Sequence, residues 1–251
     1  MDKIALITGA TSGIGWATAR QLADVGFSLI LCGRRRDRLE TLADELAAQE
    51  KVHTLHFDVR HKEAVFEAIH SLPPEWQSID VLINNAGNAH GLSPIQDGDV
   101  DDWDAMMDGN VKGLLYVSKA VMPVMIKRRS GHIVNIGSVA GKEVYPNGNV
   151  YCASKFAVDA LTQGMRLDLN PFGIKVTGIH PGLVDTEFSL VRFKGDEQRA
   201  ATPYQGLEPL HAQDIADVIS YVVTRPAHVV LADITVLPTA QASATVVRRE
   251  K

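Results

Sequence analysis

Cysteine is scarce: the 251 residues hold two, Cys32 and Cys152, in neither a disulfide framework nor a zinc-binding spacing. That usage fits a reducing setting, and a cytoplasmic location is the expectation. No apolar stretch is long enough to cross a bilayer. A strand-like run from Lys3 leaves no room for a leader peptide. Positive charge is not in excess either; the formal net charge of −5 argues against a general nucleic-acid binder. The one arginine run has no aromatic interleaving and no accompanying basic face. No repeat, low-complexity segment or composition break divides the chain, so one domain over residues 1–251 is expected. The 45% of hydrophobic residues is enough for a full core.

Strand-like and helix-like segments alternate. Strands are expected at 3–8, 27–31, 52–59, 80–83, 132–136, 174–179 and 233–237. Helices are expected from the glycine turn to 25, with Gly26 as its C-terminal cap, and at 37–49, 61–71, 101–127, 150–169 and 212–224. Asp37 and Glu40 read as a capping box. The strands are apolar runs rather than alternating ones, as in a parallel sheet buried on both faces. The segment 183–210 is too long for a mere connection and reads as a substrate lid.

Thr8-Gly9-Ala10-Thr11-Ser12-Gly13-Ile14-Gly15 lies between the first strand and the first helix. Gly9, Gly13 and Gly15 permit a tight turn and the close approach of a pyrophosphate. Ser12 and Ile14 stand where helix N–H groups and the dipole favour an anion. At the end of the second strand an acidic residue would accept hydrogen bonds from a ribose 2′-hydroxyl. Here the chain has Cys32-Gly33-Arg34-Arg35-Arg36. The dipole disfavours cations just before a helix N-terminus, and a 2′-phosphate offsets that cost. NADP(H) is therefore expected over NAD(H), with Arg34 and Arg35 reading the phosphate. Asp58 and Val59, ending the third strand, are candidates to flank the adenine; Asp58 reads equally as a helix cap.

Tyr151 and Lys155 are four residues apart, with Ser138 thirteen residues upstream of Tyr151. A phenol ionises near pH 10. An ammonium about 4 Å away, at an effective dielectric near 20, is worth roughly 4 kcal/mol, or about three pKa units. Positions i and i+4 share a helix face, so Lys155 is placed to turn Tyr151 into a proton-transfer group. Ser138 alone would read as a turn cap. Gly109-Asn110 interrupts an amphipathic helix at a cost of about 1 kcal/mol relative to alanine, which points to a local irregularity with a function.

Thr8 to Gly15, Asn84-Asn85-Ala86-Gly87, Asn110, Ser138, Tyr151-x-x-x-Lys155 and Pro181-Gly182 resemble, in order, the motifs of the short-chain dehydrogenase/reductase family. The resemblance spans essentially the whole chain. It implies an α/β, single-domain, Rossmann-type doubly wound parallel sheet of about seven strands, with helices on both faces. It implies that Tyr151 is the general acid/base, that Lys155 tunes it and holds the nicotinamide ribose, and that Ser138 holds the substrate oxygen. Asn110 would help to hold a water that relays protons through the lysine. Asn85, Ala86 and Gly87 would lie under the adenine ribose. Pro181, Gly182 and Val184 would back the nicotinamide, with Thr186 near its carboxamide or the pyrophosphate. No metal site is expected, since His90, His132 and His180 form no ligand cluster. Relatives are usually tetramers, so a homotetramer is expected, with the tail from Leu237 reaching a neighbour.

Residues 72–76, 187–196 and 226–229 are similar to bacterial NADP-dependent 3-hydroxy acid dehydrogenases, which act on serine or allo-threonine. That subgroup usually carries an acidic residue where this chain has His180. A small 3-hydroxy acid needs a cation for its carboxylate. Arg192 is the first candidate and Lys194 the second; Tyr145, Asn147 and His90 are candidate pocket walls. The competing readings are a 3-oxoacyl carrier-protein reductase, with Lys127-Arg128-Arg129 as docking surface, and a general carbonyl reductase. A non-catalytic NADP(H)-sensing subunit is a third, against which the intact Asn–Ser–Tyr–Lys set argues. The expected partner is a small molecule, with no nucleic acid and no membrane.

Overall fold

The structure, a computed structural model, describes residues 3–250. Among the described residues nine strands form: β1 (Lys3–Thr8), β2 (Phe27–Gly33), β3 (Val52–His56), β4 (Ile79–Asn84), β5 (Gly131–Ile136), β6 (Ile174–Pro181), β7 (Val184–Asp185), β8 (Leu210–His211) and β9 (Asp233–Val236). Seven pair in the order β3-β2-β1-β4-β5-β6-β9, every pairing parallel. All of β2 is buried, which explains its unbroken apolar run: Leu29 and Leu31 face one layer, Ile30 the other.

The first layer is α1 (Gly13–Asp24), α2 (Arg36–Leu46) and α9 (Ala212–Val223). The second is α3 (Lys62–His70), α5 (Gly113–Arg128) and α6 (Asn149–Leu169). The expected long helix 101–127 is two pieces, α4 (Val100–Met107) and α5, joined by a π-helical turn, Asp108–Lys112. Gly109 and Asn110 are buried in that turn, so the irregularity falls where the glycine pointed. No described helix is long and apolar enough to cross a membrane.

Three local expectations change. α2 starts at Arg36 rather than at an Asp37 cap; Arg35 is its N-cap and makes no side-chain cap bond. β3 stops at His56 because the chain turns at Asp58, whose carboxylate accepts from Arg60 N at 3.0 Å. The segment 183–210 is ordered into α7 (Glu187–Arg192), α8 (Glu197–Ala201) and a short turn, Thr202–Tyr204. Its two ends are joined by the β7–β8 pair, ahead of α9 (Ala212–Val223).

The C-terminal tail folds back onto its own chain. Gln241 Oε1 accepts from Leu183 N at 2.9 Å, Glu250 N donates to Gly206 O at 2.7 Å, and Arg249 Nη2 donates to Pro203 O at 3.1 Å.

Candidate active site

A cleft of about 500 Å³ opens at the C-terminal ends of the strands. It lies between β1 and β4, where the strand order reverses and sheets of this kind leave a crevice. The β1–α1 loop forms one wall. Gly9 has φ 67°, and a Cβ there would meet Asn85 Nδ2 at 2.9 Å. Gly15 stands behind the loop: a Cβ on it would come within 2.2 Å of Gly9 O. Its part is close packing rather than ligand contact. Ser12, Gly13 and Ile14 face the cleft. The Ser12 hydroxyl caps no helix N–H, and the first turn of α1 carries no acidic residue. The positive end of the helix is thus left uncompensated toward the cleft.

The opposite wall is locked to this loop. Asn85 Nδ2 donates to Thr8 O at 2.9 Å, and Thr8 Oγ1 accepts from the main-chain N of Asn85 and Ala86 at 3.1 and 3.0 Å. Asn85, Ala86 and Gly87 line the cleft, as do Asp58 and Val59. Asp58 does not cap α3, whose N-cap is His61. It pairs with Arg60 at 2.7 Å and lies 3.7 Å from Arg34. Partial burial pushes the Asp58 carboxyl up, but hydrogen bonds from Arg60 and the Arg34 charge outweigh this and hold it low.

Ser138, Tyr151 and Lys155 converge on the cleft. Ser138 Oγ accepts from Ala140 N at 3.1 Å, capping the short turn Val139–Gly141, and donates to Pro181 O at 3.5 Å. The cap and a place in the cleft lining therefore coexist. Lys155, 7% exposed, donates from Nζ to Ile136 O at 3.0 Å. Burial pushes its amine down to about 8.

Tyr151 corrects the expectation of a lowered phenol. Burial is the largest influence and raises it, and Tyr145 adds to the rise. The Ser138 hydrogen bond and Arg192 act the other way without reversing it. Lys155 Nζ keeps two of its three N–H donors beyond the bond to Ile136 O, and the cation that favours the ionised phenol here is Arg192.

Asn110, 2% exposed, staples the π turn to the loop after β4 and to α6. Its Oδ1 accepts from Asn88 N at 2.8 Å, and its Nδ2 donates to Asn88 O at 2.8 Å and Ser154 Oγ at 3.0 Å. Both amide protons are committed. The far wall is Pro181, Gly182, Val184 and Thr186. Thr186 caps α7 through Phe188 N at 3.2 Å and touches the glycine loop: a Cβ on Gly13 would lie 3.2 Å from Thr186 Cβ.

α7 brings Arg192 into the cleft. Its Nη1 donates to Tyr145 Oη at 2.9 Å, its Nε to Gly91 O at 3.0 Å, and its guanidinium lies 5.5 Å from the Tyr151 ring centre. Lys194 points outward and pairs with Asp102 at 2.9 Å. Asn147 lies outside the cleft lining; it is an exposed turn residue with φ 64°. His90 does not line the cleft either. Arg38, Arg60, Glu187, Phe188, Tyr204 and Gln241 were not anticipated. Arg38 had a readable signal, standing three residues after Arg35 on one helix face. Gln241 had none, because only the folded tail brings it there.

The three histidines stay apart, but His180 meets two carboxylates. Its Nε2 is 3.4 Å from Asp233 and 3.7 Å from Asp159, and these three could in principle hold a metal ion. Lys142 already bridges both carboxylates at 2.9 and 2.6 Å, so a resident ammonium supplies the positive charge.

A dinucleotide-type cleft with Ser, Tyr and Lys at one end is the arrangement of a nicotinamide-dependent oxidoreductase. The family profile described as short chain dehydrogenase matches residues 3–196. Sulfoacetaldehyde reductase 2 of Chromohalobacter salexigens is 48% identical over 243 residues, 96% of either chain. The NADP-dependent 3-hydroxy acid dehydrogenase YdfG of Salmonella typhi is 46% identical over 242 residues, 96% of this chain and 97% of that one. The closed form of a serine dehydrogenase complexed with NADP+ superposes with TM-score 0.92 at 43% identity, covering 99% of this chain and all of that one. The chain belongs to the short-chain dehydrogenase family.

Lys155 yields a stability prediction. Its folded pKa lies below that of free lysine, so the folded chain holds this proton less tightly. The cost is present in full below about pH 8 and fades as pH rises toward 10.5. It amounts to about 3 kcal/mol, less about 1 kcal/mol for the Ile136 hydrogen bond. Lys155→Met should melt about 4–8 °C higher at pH 7, and the gap should close by pH 10. Equal melting temperatures at pH 7 would refute the penalty.

Proposed function

We propose that this chain transfers a hydride between NADP(H) and the CH–OH carbon of a small hydroxy acid, with 3-hydroxy acids such as serine or allo-threonine as substrates. The observation that carries the reading is Arg192, a guanidinium 5.5 Å from the Tyr151 ring, held by Tyr145. A carboxylate on that fork leaves the hydroxyl carbon, two carbons away, facing Tyr151 and Ser138. The nicotinamide, bound against Pro181, Gly182 and Val184, takes or supplies the hydride. Tyr151 gives the proton to the substrate oxygen in reduction and removes it in oxidation, and Ser138 fixes that oxygen. Burial keeps the phenol protonated at neutral pH, which suits the reductive direction; oxidation needs higher pH or a cofactor charge beside it. Lys155 holds the ribose, and Asn110 holds the π turn beneath it.

Arg34 and Arg35 read the 2′-phosphate, a reading supported by the NADP-dependence in the names of the relatives. Ser12, Gly13 and Ile14 cradle the pyrophosphate, near Thr186. Asp58 and Val59 flank the adenine, and Asn85 to Gly87 support its ribose. Residues 183–210 form the lid of one catalytic domain.

A second reading has one specific support. Arg192 selects an anion rather than a carboxylate as such, and one relative is named a sulfoacetaldehyde reductase. Reduction of a small sulfonated aldehyde fits the same fork. The carrier-protein reading is less favoured: within Lys127-Arg128-Arg129, Arg128 pairs with Asp80 and Arg129 donates to Pro171 O at 2.8 Å.

A panel of serine, allo-threonine, 3-hydroxyisobutyrate, sulfoacetaldehyde and uncharged secondary alcohols, followed by nicotinamide absorbance, tests the function. Activity confined to uncharged alcohols rejects it. Arg192→Met should lower kcat/KM for the anionic substrates by roughly 100-fold and leave an uncharged ketone nearly unchanged, while Tyr151→Phe should abolish all turnover. Neutralising Arg34 and Arg35 together should shift kcat/KM from NADP(H) toward NAD(H); an unaltered ratio counts against the phosphate role.

Leu115, Phe156 and Leu167 are exposed apolar residues on α5 and α6. They support a cytoplasmic homotetramer paired through those helices. Sedimentation at micromolar protein should give a tetramer; a monomer rejects it.

A further inference from the structure

The anion that Arg35 and Arg38 hold in this structure is part of the chain itself. Glu187 Oε2 accepts from Arg35 Nη1 at 2.8 Å, and Glu187 Oε1 accepts from Arg38 Nη1 at 2.5 Å. The rest of the Arg35 fork is spent on Thr11, with Nε to Oγ1 at 3.2 Å and Nη2 to the main-chain O at 3.1 Å. Arg38 Nη1 also reaches Thr11 O at 3.5 Å. Glu187 opens α7, on the lid, 152 residues along the chain from Arg35. Its carboxylate therefore ties the lid to the end of the cleft where a 2′-phosphate would lie. Partial burial pushes this carboxyl up, but the hydrogen bonds from Arg35 and Arg38 prevail and hold it below the usual range.

A 2′-phosphate brings close to two negative charges at neutral pH. Beside an ionised carboxylate on the same two guanidinium groups it would be repelled, and every nitrogen of the Arg35 fork already has an acceptor. The two anions exclude each other. Arg34 is 59% exposed at its side chain and 3.7 Å from its nearest carboxylate, so it is free to receive the phosphate first.

We propose that Glu187 is a specificity-determining residue for the cofactor: its carboxylate competes with the 2′-phosphate for Arg35 and Arg38. NADP(H) binding breaks the lid's two ion pairs, and NAD(H) binding leaves them intact. This rests on the reading that these arginines bind the phosphate. Glu187 thus lowers the NADP(H) affinity that the arginines would otherwise give. It also couples the phosphate to the lid, because Arg192 ends the helix that Glu187 begins.

The test is Glu187→Gln, with NADPH and NADH binding followed by nicotinamide fluorescence in the full-length protein. Adenosine 2′,5′-bisphosphate and adenosine 5′-monophosphate serve as probes lacking the nicotinamide. Both ion pairs are more than a third exposed, so a modest gain is expected. Glu187→Gln should bind NADPH and the 2′,5′-bisphosphate about three- to tenfold more tightly, leave NADH and the monophosphate unchanged, and lose its advantage at high salt. Unchanged or weaker NADPH binding, in an enzyme that still prefers NADPH to NADH, overturns the competition and leaves the cofactor assignment standing. Weaker binding of both cofactors would make Glu187 a latch over bound nucleotide and also overturns it. A wild-type enzyme with no preference for NADPH sinks the phosphate reading itself, and the inference with it. A Glu187→Asp variant separates charge from shape: it should stay close to wild type.

Discussion

A lysine ammonium buried with only a main-chain carbonyl as its partner is the constraint around which this molecule is built. Desolvation favours the neutral amine and brings Lys155 close to neutrality in its proton affinity. The surroundings make that burial possible. Ile136 ends its strand with a carbonyl aimed at Nζ, and the small residues Gly87 and Gly141 let neighbouring chain approach. Asn110 clamps the π turn to Asn88 next to this point. Tyr151 shares the same dry environment and is pushed the opposite way, toward its protonated form. One physical cause therefore prepares a proton donor and a labile ammonium side by side.

The segment 183–210 is held by charge at three places. Glu187 reaches the arginines of the β2–α2 turn, Arg192 reaches Tyr145 and the Gly91 carbonyl, and Lys194 reaches Asp102 on α4. Few of these contacts are deeply buried, so they are modest in energy and sensitive to salt. The β7–β8 pair joins the two ends of the segment.

Much of this was legible before the fold was known. Parallel strands buried on both faces leave apolar runs, and β1, β2 and β4 to β6 fell close to their expected places. The i, i+4 spacing placed Tyr151 and Lys155 on one helix face, and a glycine in mid-helix marked the π turn. The sign of the Tyr151 shift was not legible. Coulomb attraction can be reckoned from spacing, whereas desolvation depends on everything packed around the ring. Lys194 and Asn147 fall outside the cleft for a related reason. Each precedes a glycine and itself has a positive φ, a backbone conformation that the sequence did not announce. Gln241 and Glu187 come from distant parts of the chain, and only the fold shows what they touch.

The final residues carry a consequence out of proportion to their position. Gln241 accepts from the first residue of the lid, and Arg249 and Glu250 bond the stretch from Pro203 to Gly206. The rim of the catalytic crevice is thus partly made by the last dozen amino acids. Changes in Gln241, Arg249 or Glu250 would therefore be felt at the mouth of the crevice before they were felt in the core.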